Sequence, residues 1–217
     1  SNLQTLVNTY GDIFNGPTSI DNMKDVKAIS YDLSEIKGLE ARIFNLELFN
    51  LLSLSWDDAV TNGRIMKTLW EEKKLGLDEV AHTSIYIDES HRWVNAKNLY
   101  ALDLLSIYLR EGPKYFSNLW MASQSIRDYT PEGSTNEGIE KLKTIFEMTQ
   151  YKFIFNQDSN AIPVIDRVFG NALMPRQRER IPYYVKGQTT MIISGDRTVD
   201  FKVYLSREDE ALFKGGA

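Results

Sequence analysis

Two short apolar runs, Thr83-Ser84-Ile85-Tyr86-Ile87 and Asn118 to Ser123, stand on either side of a helical stretch, and this arrangement constrains the fold more than anything else in the chain. The stretch from about Val94 to Arg110 carries Val94, Ala101, Leu104, Leu105 and Tyr108 on one stripe and stops at Gly112-Pro113. A strand, a helix and a second strand cannot close as a tight hairpin, so the crossover makes the two strands parallel neighbours. The first run ends on adjacent carboxylates, Asp88 and Glu89, and the second on Ser123-Gln124. Ligands of parallel sheets bind at the carboxyl ends of the strands, which is where these polar groups fall.

The rest of the chain continues the alternation. Residues 26 to 33, Val-Lys-Ala-Ile-Ser-Tyr-Asp-Leu, read as a strand, followed by a buried helix over Leu39 to Leu54 and a second helix over about Asp57 to Leu75. A helix at roughly Gly138 to Thr149 precedes a β-rich run, Tyr151 to Phe155, and Thr130 to Gly138 reads as an exposed loop. Pro163 to Ile181 looks helical, with a basic run from Arg176 to Arg180. Met191, Ile193, Val199, Phe201 and Val203 alternate with more polar neighbours about Gly195-Asp196, as in a half-buried hairpin over Thr189 to Leu205. The expectation is one domain over residues 1–217, with sheet and helices in 1–160 and further helices and the hairpin in 161–217.

With 217 residues, 42% of them hydrophobic, the chain can bury a sizeable core. No apolar run approaches the roughly 18 to 20 residues of a membrane span, and no signal-type segment opens the chain. The opening Ser1-Asn2 has the look of a cloning remnant. Cysteine is absent, which excludes disulfides and thiolate metal sites and leans towards a reducing compartment, with the cytoplasm as the expectation. A net charge of −5 argues against a broad basic nucleic-acid surface, though not against a local basic rim.

An apolar strand closed by two carboxylates has the form of a Walker B element. There the first carboxylate, here Asp88, holds Mg²⁺ through water, and the second, Glu89, polarises the water that attacks the γ-phosphate. The phosphate cradle G-x-x-x-x-G-K-[ST] does not occur in the sequence, so the hydrolytic half of a site stands without its phosphate-binding half, and an N-terminally truncated fragment is expected. Other readings compete. Asp88-Glu89-Ser90-His91 imitates a helicase box, but no helicase arginine motif follows. His82 and His91 lack the spacing of a zinc site. Asp32, Asp88 and Glu89 on neighbouring strands would suit a two-metal nuclease. Trp56, Trp70, Trp93 and Trp120 are base-stacking candidates that more often serve as core, and the basic run at Arg176 is more often a solvated helix face.

Taken in order, Tyr31-Asp32-Leu33-Ser34, Ile85 to Glu89 with Trp93, Leu109-Arg110, Ala122 to Asp128, Lys152 to Phe155 and Ser206 to Glu210 give the chain a family resemblance. It resembles the C-terminal ATPase domain of conjugation and type IV secretion motors, the VirB-four-like or TraC/TraE-like group of Gram-positive mobile elements. The resemblance implies an α/β RecA-like P-loop NTPase sheet, mostly parallel with helices on both faces, and a C-terminal β-hairpin. It implies ATP and Mg²⁺ as cofactors, with Asp88 positioning the metal, Glu89 as catalytic base and Gln124 sensing the γ-phosphate. Arg110 would be an arginine finger offered to a neighbouring subunit, or else a helix-terminal cation favoured by the dipole. Implied partners are its own copies in a hexamer, type IV secretion channel subunits and DNA, at the cytoplasmic face of the membrane. The alternative of another class is an interaction module of the same shape that docks on channel subunits without chemistry.

Overall fold

The two apolar runs pair as the crossover requires. In the computed structural model, which describes residues 8–11, 26–34, 36–38, 41–170, 172–194 and 197–212, strand β1 (Thr83–Ile87) runs parallel to β2 (Ser117–Met121). Ile85 lies opposite Leu119, and Ile87 opposite Met121. The connection contains helix α2 (Leu99–Glu111), capped by the Asn98 side chain, which accepts the Ala101 N–H at 3.3 Å. Helix α2 starts five residues later than the sequence suggests, because Ser90–Arg92 forms a 3-10 turn that carries the chain away from the strand end.

The chain forms two units, residues 1–44 and 45–217. In the first, residues 26 to 33 are not a strand. Val26, Ile29 and Tyr31 are exposed, and an Asx-type bond from Ser34 N–H to Asp32 Oδ1 (2.8 Å) bends the segment. The two helices expected over residues 39–54 and 57–75 are one helix, α1 (Ala41–Glu71). Neither proline nor glycine interrupts it near Trp56, and Ser55 returns its hydroxyl to the Leu51 carbonyl at 2.8 Å. Gly63 lets the backbone of Tyr115 lie against this helix, since a Cβ there would overlap the Tyr115 main chain.

Helix α3 (Asn136–Met148), with Thr135 as N-cap, packs on α2 through Leu102, Leu105, Leu142 and Ile145, all essentially solvent-free. Strand β3 (Tyr151–Ile154) does not extend the parallel pair. It pairs antiparallel with β4 (Gln188–Ile193), which pairs antiparallel with β5 (Arg197–Lys202). Lys152 and Ile154 are buried while Tyr151 and Phe153 are exposed, the alternation of a strand with one covered face. The hairpin strands pair as expected, but the face expected to be covered is the open one: Val199, Phe201 and Val203 are exposed, while Thr190 and Ile192 turn to the core, and the Gly195-Asp196 turn lies outside the described residues. The predicted 163–181 helix divides into α4 (Ile162–Phe169) and α5 (Pro175–Arg180), because Gly170 ends α4 in a left-handed conformation at φ +67°. Ile154, Ile165, Leu173, Ile181, Tyr184 and Ile192 form the core beneath β3 and β4. A last short helix, α6 (Arg207–Leu212), follows the hairpin. Among the described residues no helix is long and apolar enough to cross a membrane.

Candidate functional site

The site is built where β1 and β2 end. Beyond Ile87 the chain must leave the sheet at once, and it does so with Glu89 in the left-handed region at φ +48°, a conformation that costs a non-glycine residue about 1–2 kcal/mol. The turn is secured from below by Ser90. Its N–H and hydroxyl both reach the Ala122 carbonyl, each at 2.9 Å, and the same hydroxyl meets the buried Tyr129 phenol at 2.6 Å. Burial pushes the Tyr129 phenol above its ordinary value near 10, against the lowering effect of the Ser90 bond.

Above this clamp the sequence-predicted polar groups meet. Gln124 Nε2 donates to Glu89 Oε1 at 2.9 Å, across the ends of the two parallel strands. Asp88 Oδ1 accepts the Glu89 N–H at 2.9 Å, and its side chain is open to solvent. Asp88, Glu89 and Gln124 thus form one cluster. Arg110 is not part of it. It sits in the last turn of α2, before the amino end of β2, whereas Gln124 follows the carboxyl end of that five-residue strand, roughly 17 Å further along. Geometry leaves Arg110 no role at this cluster within the same chain.

The sequence reading missed the groups that hold the cluster. His91, set aside there as a coincidence, has Nδ1 2.9 Å from Ser123 Oγ and 3.6 Å from Glu89 Oε2. Gln157, from beyond β3, donates to the Gln124 carbonyl at 3.0 Å and accepts the Ile126 N–H at 3.2 Å. Ser90, His91 and Ser123 adjoin the predicted residues and were findable by position. Nothing in the sequence distinguishes Gln157.

A carboxylate with an amide clamped to one oxygen, beside an open aspartate, suits orientation of a water molecule near a hydrated Mg²⁺, an ion that takes one or two carboxylates and completes its shell with water and phosphate. The remaining candidates fare differently. Among the described residues no three His, Asp or Glu side chains gather to hold a metal ion directly, as a two-metal nuclease would need. Trp93 is buried in the core, while Trp120 is 45% exposed and stacked on Tyr86 at 6.0 Å between ring centres. The basic run is partly engaged inside the fold, with Arg178 on Asp166 (2.9 Å) and Arg180 near Asp200 (3.5 Å).

Comparison with known proteins agrees with this architecture. The VirB4 protein of Thermoanaerobacter pseudethanolicus superimposes on 81% of the chain with a TM-score of 0.60 at 16% identity. The fold is VirB4-like. An uncharacterized protein of Bacillus anthracis, pXO2-09, is 31% identical over 216 residues, 99% of the chain. The genome packaging NTPase B204 of Sulfolobus turreted icosahedral virus 2, solved with AMPPCP, overlaps 66% of the chain at a TM-score of 0.39 and 13% identity. No model of a known protein family matches. The chain spans 33% of the length of the Bacillus anthracis protein and 41% of the VirB4 chain. The VirB4-like fold accounts for the parallel β1–β2 pair and for the antiparallel strands that follow it.

Proposed function

We propose that this VirB4-like domain is the hydrolytic part of a motor ATPase that serves type IV secretion or conjugative DNA transfer. The observation that carries the reading is the Gln124–Glu89 hydrogen bond joining the carboxyl ends of adjacent parallel strands, with Asp88 beside it. In this reading Asp88 holds Mg²⁺ through water, Glu89 takes the proton of the attacking water, and Gln124 links the γ-phosphate to Glu89. Bound Mg-ATP would supply the phosphoryl group and the charge that polarises it. The phosphate cradle comes from polypeptide outside these residues. Arg110, remote from its own Glu89, acts on the site of a neighbouring copy in a hexameric ring, at the cytoplasmic face of a membrane channel, with DNA or protein as cargo.

Calorimetric titration of Mg-ATP into this chain and into a longer polypeptide bearing a Walker A segment tests the reading. Binding by the longer form alone is expected, and Glu89→Gln in that form should keep nucleotide affinity while turnover falls by at least about a hundredfold. Unchanged turnover would remove Glu89 from the mechanism. A second reading, the interaction module without chemistry, draws support from the exposed apolar face of β3 and β5, where Tyr151, Phe153, Val199 and Phe201 lie open to solvent. Under it, neither form binds nucleotide.

A further inference from the structure

Helix α6 is an element without support. It has six residues, none of them buried, and every residue from Phe201 to Leu212 is exposed. Ser206 starts it: its hydroxyl accepts the Asp209 N–H at 3.0 Å and donates to Asp209 Oδ2 at 2.7 Å. Such a cap begins a helix without sustaining it, since in water a helix shorter than about 12–15 residues is marginal and helices in proteins are held chiefly by a packed apolar face. Here the apolar side chains are unpacked. Leu212 is 80% exposed, and Tyr204 and Leu205, which lead into the helix, are exposed as well. The helix is also acidic, with Glu208, Asp209 and Glu210 against Arg207, and neither Glu208 nor Glu210 forms an ion pair among the described residues.

Residues 174–186 have the opposite character. Ile181 and Tyr184 anchor them in the core, and the Asn156 side chain donates to the Pro182 and Tyr184 carbonyls, each at 3.0 Å. The segment is therefore a preformed surface. It exposes Met174, Tyr183 and Val185, Tyr183 to 82%. It also carries Arg176, Arg178, Arg180 and Lys186 against a single acid, Glu179, in a chain whose net charge is −5. Arg178 is held by Asp166 and Arg180 lies near Asp200, but Arg176 and Lys186 are exposed and form no ion pair among the described residues. One surface is apolar and acidic, the other apolar and basic, and each lacks a cover.

We propose that α6 of one copy docks on residues 174–186 of a second copy, with Leu205 and Leu212 covering Tyr183 and Val185, and with Glu208 and Glu210 facing Arg176 and Lys186. Docking gives the short helix the packing that its length cannot replace. The occupant is a second copy because both complementary halves are present in every chain, and in its own copy α6 is not docked at all. Neither surface can pair with itself, since like charges would meet. The contact is therefore head-to-tail and runs from copy to copy, closing into a ring where the rotation allows. It supplies a contact surface for the ring of the proposed motor and rests on that reading for the ring alone. Nucleotide chemistry at Glu89 plays no part in it.

Sedimentation velocity of the chain at low salt, up to about 200 µM, tests it. The average mass should rise with concentration, and about 0.5 M salt should reverse the rise. Two variants divide the contact: Arg176→Glu with Lys186→Glu reverses the receiving segment, and Glu208→Lys with Glu210→Lys reverses the helix. Each variant alone should associate at least about tenfold more weakly, because like charges then meet across the contact. An equimolar mixture of the two should recover association, because every contact between unlike copies again pairs opposite charges. All four side chains are exposed, so the thermal midpoints should stay close to that of the unaltered chain. A chain that stays monomeric throughout, reversals that leave association unchanged, or a mixture that fails to recover it would overturn the proposal. Any of these results leaves the Glu89→Gln experiment untouched, so the docking surface and the hydrolytic reading fail separately.

Discussion

Ser90 is the residue on which the geometry of the candidate site depends, and its removal has a magnitude that the structure specifies. A serine hydroxyl has one proton. If it goes to the Ala122 carbonyl at 2.9 Å, then Tyr129 must donate to Ser90 across the 2.6 Å contact. In Ser90→Ala the Ala122 carbonyl keeps the Ser90 N–H and loses only a second bond, whereas the buried Tyr129 phenol loses its 2.6 Å acceptor and is left with the lesser contact to the Ser123 hydroxyl. A neutral hydrogen bond contributes about 0.5–1.5 kcal/mol and a stranded buried donor costs about 1–3 kcal/mol, so Ser90→Ala should destabilise the chain by about 2–3 kcal/mol. Tyr129→Phe leaves Ser90 bonded to Ala122 and should cost about 1 kcal/mol. In the double variant no donor is stranded, so it should cost less than the sum of the single changes by about 1 kcal/mol. Urea unfolding of the four proteins, followed by circular dichroism, measures this coupling. Additivity within about 0.3 kcal/mol would refute the clamp, as would a neutral Ser90→Ala.

Gly138→Ala would ordinarily strengthen a helix by about 1 kcal/mol, but here a Cβ overlaps the Ala96 carbonyl, and overpacking of about 1–3 kcal/mol or more reverses the sign. Thermal unfolding should show a net loss, and a gain in midpoint would refute the contact between α3 and the Ala96 segment. The phenols of Tyr108 and Tyr129 are both raised by burial, so each favours the fold in its neutral form. Their contribution is fully present below the unfolded value near 10 and is lost as pH rises through the folded values. Ultraviolet titration should therefore find phenols that ionise above the ordinary range, with unfolding setting in as they do, and Tyr129→Phe should remove one of them.

What could be read locally was the β1, α2, β2 succession, the pairing of the hairpin though not which of its faces is covered, and the place of Asp88, Glu89 and Gln124 at strand ends, all of which follow from apolar periodicity, turn residues and the order of elements. These are properties of a few consecutive residues, set by backbone geometry and side-chain alternation. The errors share one cause. Residues 26–33 have the composition of a strand but join neither sheet of the described residues, and a strand exists only as a pair. Residues 39–54 and 57–75 read as two helices, yet with no residue between them that breaks the helix the hydrogen bonds simply continue. The antiparallel pairing of β3 depends on which edge lies nearest after two intervening helices, and the spacing along the chain carries no information about that.

The sequence by itself determined the chemistry available at the strand ends, because side chains at the close of an apolar strand have few places to go. Only the tertiary structure decided how that chemistry is held. The Ser90–Tyr129 clamp spans 39 positions and the Gln157 bridge to Gln124 spans 33. Directed hydrogen bonds of about 3 Å tolerate little displacement, so such partners are fixed only when the packed core brings distant segments together.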